Sequence, residues 1–142
     1  MLTPQTMTIY ANGRAIPLGE VRPRDLVMSY RCGSGTLGSA EVTRREDGQV
    51  GKVYRVTTRD GGRLECSAEE SILRFGRAGR RFVPVTKINH GDTLPRFVDG
   101  IRTLTNVIAI ETEDMKALVS VHRLALSRPG NGYYADGFVV RG

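Results

Sequence analysis

The amino-acid sequence predicts an all-β fold, and three observations support this class. Six Asx-Gly pairs interrupt the chain, and such pairs readily adopt the positive φ angles of tight hairpin turns. Runs rich in β-branched and aromatic residues lie between them, and no stretch of roughly a dozen residues keeps a helical period. Short strands at regular spacing are typical of sandwiches and barrel-like folds. The six pairs are Asn12-Gly13, Asp47-Gly48, Asp60-Gly61, Asp99-Gly100, Asn131-Gly132 and Asp136-Gly137.

The individual elements follow from local composition. The clearest strand candidates are residues 8–10, 53–56, 105–110 and 119–121. One helix is predicted, with Ser67 as its N-cap and Glu70 as the partner residue of a capping box. That helix has room for only a turn or two before Gly76.

An internal repeat divides the chain into two halves. The segment Ile16-Pro17-Leu18-x-x-Val21-x-x-x-Asp25 recurs 67 residues later as Val83-Pro84-Val85-x-x-Ile88-x-x-x-Asp92. Glu46-Asp47 recurs at the same spacing as Glu113-Asp114. Two such halves predict a pseudo-twofold β domain. We interpret Asp25 and Asp92 as structural, because carboxylates can accept hydrogen bonds within their own turns.

Length and composition suit one globular domain over residues 1–142. Of these residues 39% are hydrophobic and 25% are charged, which is enough for a core without metals or disulfides. No apolar run reaches the roughly 18 residues that cross a bilayer, so we expect no membrane partner. The first ten residues lack the charged and apolar regions of a signal peptide, which predicts a chain that is cytoplasmic when synthesised.

The cysteines and histidines indicate no cofactor and no metal. Cys32 and Cys66 lie outside any CxxC motif and have no histidine at metal-ligand spacing. We expect two reduced, mostly buried thiols, although the sequence leaves open whether they pair. His90 precedes a turn and His122 lies in a strand candidate, so both are interpreted as structural or surface residues.

Charge leaves two interpretations open. The formal charge is +6, and a positive balance of this kind can attract nucleic acid or an acidic protein. The densest basic run is Arg74, Arg77, Arg80 and Arg81. Solvated loop charge is the favoured interpretation of this run, and nucleic-acid binding is the alternative.

Three segments together resemble the Hint domain that inteins share with the autoprocessing part of hedgehog proteins. The C-terminal segment is the most specific, because it reads aromatic-x-x-Asp-Gly followed by three apolar residues. The resemblance covers the whole chain and implies an all-β horseshoe of short antiparallel strands in two pseudo-symmetric halves. The segments are Met1-Leu2-Thr3-Pro4-Gln5-Thr6 with the Asn12–Val27 stretch, Leu64-Glu65-Cys66-Ser67-Ala68-Glu69-Glu70-Ser71-Ile72-Leu73, and Tyr133-Tyr134-Ala135-Asp136-Gly137-Phe138-Val139-Val140-Arg141-Gly142.

The resemblance also implies which groups the family's chemistry needs. A Cys or Ser at the first position attacks the preceding carbonyl and forms a thioester or ester. The His of an interior Thr-x-x-His motif protonates the scissile amide. In inteins a penultimate His and a terminal Asn then break the C-terminal bond by cyclisation of the Asn.

This sequence departs from that pattern at each of these points. Met1 stands at the nucleophile position, and a thioether has no ionisable proton. Ser67 is an acceptable substitute for the motif Thr, but Glu70 replaces the His and is expected to be exposed and ionised. Arg141 replaces the penultimate His and Gly142 the terminal Asn. Met1 is also expected to be a translation start, with no upstream bond to rearrange.

These departures predict a Hint-like domain that is not an enzyme. The favoured function is a structural or interaction module that binds protein subunits of a larger assembly, or copies of itself. A virion component such as a phage capsid, neck or tail protein would suit a small, basic chain of this kind. The alternatives are a basic nucleic-acid-binding module and self-processing by other groups. Those groups would be Cys66 with His122, or Ser67 with Glu70.

Overall fold

Antiparallel strands make up most of the chain, and the arrangement has the predicted all-β class. A computed structural model describes residues 1–128 and 130–142. The strands found there are β1 (Met7–Ile9), β2 (Ala15–Pro17), β3 (Leu26–Arg31), β4 (Thr36–Thr58), β5 (Arg63–Cys66), β6 (Ser71–Gly76), β7 (Gly79–Pro84), β8 (Thr93–Val98), β9 (Ile101–Leu126), β10 (Gly132–Ala135) and β11 (Phe138–Arg141). Two single turns of 3-10 helix, Leu18–Glu20 and Val85–Lys87, each follow a proline.

Two long strands connect the parts of the sheet. β4 has 23 residues and β9 has 26, and their C-terminal parts, from Val42 and from Val107 onward, pair with each other. The beginning of β4 pairs with β3, and the beginning of β9 pairs with β8. The β4–β9 register shifts at three irregularities, the first between Val42 and Arg44. Such irregularities increase local twist, so one ribbon can belong to two differently oriented halves.

The internal repeat corresponds to two copies of one local structure. In the first half the Val21 N–H donates to the Leu18 carbonyl at 3.2 Å, and Asp25 accepts the Arg22 N–H at 2.9 Å. In the second half the equivalent bonds run from Ile88 to Val85 at 3.2 Å and from Asn89 to Asp92 at 2.8 Å. The prediction of two pseudo-symmetric halves is confirmed, and both aspartates act as turn caps.

The main core lies between the two halves. Its fully buried members come from nearly every strand, so burying them stabilises the whole arrangement rather than one hairpin. A second, smaller cluster contains Tyr30, Leu73, Tyr134 and Val139. Adjacent residues of β10 and of β11 belong to different clusters, because successive side chains of a strand point to opposite faces.

The predicted helix at Ser67 is wrong. Residues 67–70 form a turn, and β6 begins at Ser71. The Ser67 hydroxyl accepts a hydrogen bond from the Met1 nitrogen instead of capping a helix. The local capping pattern is therefore overridden by a contact between residues 66 positions apart.

The Asx-Gly pairs mark turns in most, but not all, cases. Asn12, Asp60, Asp99 and Asp136 lie in turns, as expected. Asp47 and Gly48 instead lie inside β4, paired with His122 and Val121 of β9. Pairing with the long strand β9 keeps this segment extended, and the local sequence does not reveal that pairing.

In the described part of the chain, no helix is long and apolar enough to cross a membrane.

A conformational difference between the two halves gives a stability prediction. Arg24 has φ +77°, and its counterpart Gly91 has φ +88° with open space around a Cβ. Side chains are disfavoured at such angles. We expect Arg24→Gly to raise the free energy of unfolding by about 0.5–1 kcal/mol and Gly91→Ala to lower it by about 1 kcal/mol.

Urea unfolding of both variants beside the parent chain would measure these changes. A loss of stability in Arg24→Gly would contradict the argument, because it would mean that the exposed Arg24 side chain stabilises the turn more than its backbone angle costs.

Candidate functional site

The first two residues are inserted between distant parts of the chain. Leu2 is fully buried and forms bridges with both Cys66 at the end of β5 and His122 in β9. The Leu2 N–H donates to the His122 carbonyl at 2.7 Å, and the His122 N–H donates to the Leu2 carbonyl at 2.7 Å. Met1 is therefore held at a defined position at one edge of the main core.

The 67–70 turn surrounds the Met1 backbone. The Met1 nitrogen donates to Ser67 Oγ at 2.7 Å, and the Ser67 N–H donates to the Met1 carbonyl at 2.8 Å. One carboxylate oxygen of Glu69 and one of Glu70 each lie 3.7 Å from the Met1 nitrogen. The structure thus brings Met1, Ser67 and Glu70 together.

The expectation that Glu70 is exposed is wrong. Its side chain is buried, and Glu70 Oε1 has no hydrogen-bond partner within the described residues. Burial raises the pKa of Glu70, although the nearby Met1 amino group opposes this shift. A carboxyl group in this environment keeps its proton to higher pH than a surface glutamate does.

His122 is held away from Cys66. Its Nδ1 atom lies 2.6 Å from Asp47 Oδ1, and Asp47 is also bound by Arg45. Hydrogen bonds from Arg45 and His122 lower the pKa of Asp47. Cys66 lies on the other side of Leu2, and its burial raises the pKa of its thiol. The arrangement gives no reactive Cys66–His122 pair.

The sequence did not indicate Asp47 as part of this region. Asp47-Gly48 has the pattern of a hairpin turn, whereas the pairing of β4 with β9 places it opposite His122. Gly48 also allows a close approach, since a Cβ there would lie 3.2 Å from the Met1 sulfur. The Met1 thioether therefore packs against the backbone of β4.

The C-terminal strand ends beside the same turn. Val140 of β11 pairs antiparallel with Ile72 of β6, two residues after Glu70. Arg141 is exposed and pairs through its backbone with Gly132. The Gly142 N–H donates to the Asn131 carbonyl at 3.0 Å. Neither terminal position carries a group that could cyclise.

The basic run does not form one patch. Arg74 and Arg81 are register partners on β6 and β7, so they lie on one face of this hairpin. Arg80 lies on the other face, opposite Phe75. Arg74 also forms an ion pair with Asp92 at 3.4 Å. Arg77 is exposed in the connecting turn. A nucleic-acid surface built from all four arginines stays a prediction.

The two cysteines are both free. Cys66 is fully buried, and Cys32 is partly buried against the smaller cluster. Burial raises the pKa of both thiols. The described residues contain no group of three or more His, Cys, Asp and Glu side chains that could hold a metal ion.

Comparisons with solved structures identify the fold. The chain superposes on the TvoVMA intein with a TM-score of 0.84 and 15% identity, covering 98% of this chain and 95% of that one. For the intein-like domain from Clostridium thermocellum the TM-score is 0.81 and the identity 16%, covering 99% and 96%. The gp41-1 intein gives 0.73 and 21%, covering 99% and 97%. No protein-family model and no curated protein matches the chain.

These similarities show that the chain has the Hint fold of inteins, as its three sequence segments implied. Coverage is nearly complete on both sides, so the similarity extends over almost the whole chain.

Two adjacent glutamates provide a test of the burial at this site. The folded-state pKa of Glu70 lies above its unfolded value near 4.5, so the stability of the folded chain falls as pH rises through that range. Glu70→Gln removes this pH-dependent loss of stability, because glutamine does not ionise. We expect its free energy of unfolding, relative to the parent chain, to increase between about pH 4 and pH 8.

Glu69→Gln is the matched control. Burial raises the pKa of Glu69, but the Ser67 hydroxyl and the Met1 amino group outweigh it, and the net pKa is lowered. Ionised Glu69 therefore stabilises the fold, and its replacement is expected to show the opposite pH trend. Urea unfolding from about pH 3 to pH 8 would measure both, because the Glu69 effect falls at and below its unfolded pKa of 4.5 and the Glu70 effect above it. If the free energies of unfolding of the two variants, each relative to the parent chain, changed with pH in the same direction, the opposite pKa shifts assigned to Glu69 and Glu70 would be contradicted.

Proposed function

We propose that this chain is a Hint-fold structural or interaction module that does not process itself. The observation that carries the proposal is the side chain at position 1. The resemblance assigns the family's nucleophile to position 1, and there the Met1 backbone is bound by Ser67 while its thioether sulfur packs against Gly48. A thioether cannot form an acyl intermediate by losing a proton.

The neighbouring nucleophiles do not replace it. The Ser67 hydroxyl is occupied by the Met1 backbone, accepting from its nitrogen at 2.7 Å and donating to its carbonyl at 3.3 Å. The Cys66 thiol is fully buried, and desolvation disfavours its thiolate. At the other end, Gly142 has no side-chain amide for cyclisation. The lack of a nucleophile at position 1 and of a side-chain amide at position 142 supports the loss of N-terminal and of C-terminal cleavage.

One observation favours the alternative of residual self-processing. Glu70 is buried, tends to hold its proton, and has an oxygen 3.7 Å from the Met1 nitrogen. In a chain extended upstream, that nitrogen would belong to an amide, and Glu70 would be placed to protonate it. Water would then have to attack the preceding carbonyl, because no side chain at position 1 can do so.

Exposed apolar side chains support a role in binding protein subunits. Val98 and Ile101 pair across the β8–β9 hairpin with 39% and 64% of their surfaces exposed. Apolar groups clustered on one hairpin are typical of protein contact surfaces. Hint-like domains resemble parts of phages and other mobile elements, so the assembly we propose is a virion, with this chain in its capsid, neck or tail.

A fusion experiment tests the loss of processing. The chain is extended by short peptides at both ends and incubated with and without dithiothreitol, and its mass is followed. We expect the parent fusion to stay intact. We expect Met1→Cys combined with Glu70→His to release the upstream peptide with added thiol. The new side-chain thiol attacks the preceding carbonyl and displaces the backbone amine to form a thioester, and dithiothreitol then takes the acyl group from that thioester and frees the side-chain thiol.

Met1→Ala combined with Glu70→His is the control, and it should stay intact because it lacks the nucleophile. Cleavage of the parent fusion would overturn the proposal. If Glu70→Gln then abolished that cleavage, the alternative mechanism would replace it.

The assembly role has a separate test. Particles purified from the native source are expected to contain this chain in intact, stoichiometric amounts by mass spectrometry. Ile101→Asp should reduce its incorporation, while Leu118→Asp, an equally exposed site at 65% on a different part of β9, should not. Recovery of the chain only as a free monomer would contradict this role.

A further inference from the structure

A cavity of about 310 Å³ lies at the smaller apolar cluster. Its lining residues come from β3, from the loop before β4 and from strands β6 to β11. They do not include Ser67, which binds the Met1 backbone. Phe75 and Leu104 contribute apolar surface at its sides, and Tyr30, Tyr134 and Val139 belong to the buried cluster behind them. Its volume is at the lower end of the range for small-molecule sites, which is about 300–1,000 Å³.

Two arginines converge on one glycine at this cavity. The Arg102 Nη1 atom donates to the Gly35 carbonyl at 2.5 Å. Arg80 lies so close to Gly35 that a Cβ there would meet its Nη1 atom at 2.2 Å. Gly35 also has φ +70°, so both its backbone angle and its lack of a side chain are needed for this approach.

The positive charge of these two arginines is uncompensated. Neither Arg80 nor Arg102 forms an ion pair with any residue that the structure describes, and no carboxylate lines the cavity. Arg96 differs, because it is bound to Asp60 at 2.9 Å and lies over the Phe138 ring at 4.8 Å. Two unpaired guanidinium groups beside one cavity favour an anion, which they can bind in a forked geometry.

A buried tyrosine, Tyr134, lines the same cavity and is 1% exposed. Its hydroxyl has no hydrogen bond of good geometry with the described residues, and Arg102 lies near enough to interact with it. Its ring is held by Phe97, whose centroid is 5.1 Å away. Burial raises the pKa of Tyr134 to about 12, with Arg102 close enough to oppose the shift. The hydroxyl therefore stays neutral, and the positive charge at the cavity comes from the arginines alone.

We propose that this cavity binds a small organic anion, with its carboxylate or phosphate between Arg80 and Arg102 and a ring-sized apolar body against Phe75 and Leu104. The volume admits a single ring with its head group. This site is independent of processing at Met1, so the proposed function and this inference stand or fall separately.

Calorimetric titration of the whole chain tests the proposal with four probes. Phenyl phosphate and benzoate each combine a ring with an anion, inorganic phosphate lacks the ring, and benzyl alcohol lacks the charge. We expect one or both ring anions to bind at least tenfold more tightly than the other two probes. Preference between phosphate and carboxylate identifies the head group. Failure of both ring anions to bind, or equal binding of benzyl alcohol, overturns the proposal.

Substitutions locate the binding in the cavity. We expect Arg102→Gln to weaken the better ring anion roughly tenfold, as loss of a charge-assisted bond does. Arg81→Gln, an exposed arginine on the opposite face of the β6–β7 hairpin from Arg80, is the matched control and should bind normally. Tyr134→Phe keeps the apolar ring and should weaken binding less than Arg102→Gln. Normal binding by Arg102→Gln, or an equal loss in Arg81→Gln, would place the anion elsewhere and overturn the assignment.

Discussion

Pairing between β4 and β9 is the constraint on which the rest of the molecule depends. These two strands, of 23 and 26 residues, belong to both halves, because each forms a hairpin in its own half before pairing with the other. Their backbone hydrogen bonds join residues far apart in sequence, so they form only when both halves are in place. Register irregularities such as that between Val50 and Lys52 allow the ribbon to twist from one half into the other.

The N-terminal segment depends directly on this ribbon. Leu2 reaches β9 at His122 and β5 at Cys66, and Met1 is thereby held against the 67–70 turn. A position held this firmly suits a reaction that requires a carbonyl and an attacking group in fixed geometry. In this chain that position carries a thioether, and a buried carboxyl group lies beside it.

The sheet has two buried sides with different chemistry. The main core surrounds the N-terminal segment and consists almost entirely of apolar side chains. The smaller cluster is rich in aromatic residues and is bordered by Arg80 and Arg102, which approach each other at Gly35. Alternation along β10 explains this division, because Tyr133 points to the first side and Tyr134 to the second. The two adjacent tyrosines therefore pack in different clusters.

The sequence by itself determined the all-β class, the two halves and the turn aspartates Asp25 and Asp92. These depend on local patterns, namely Asx-Gly turns, β-branched runs and a proline before each 3-10 turn, and local patterns act over a few residues. Only the tertiary structure decided that Ser67 begins a turn rather than a helix, that Asp47 lies opposite His122, and that Glu70 is buried. Each of these depends on contacts between residues tens of positions apart. Burial and long-range pairing outweigh local propensity there, because propensity contributes only tenths of a kcal/mol per residue, or about 1 kcal/mol at most outside proline.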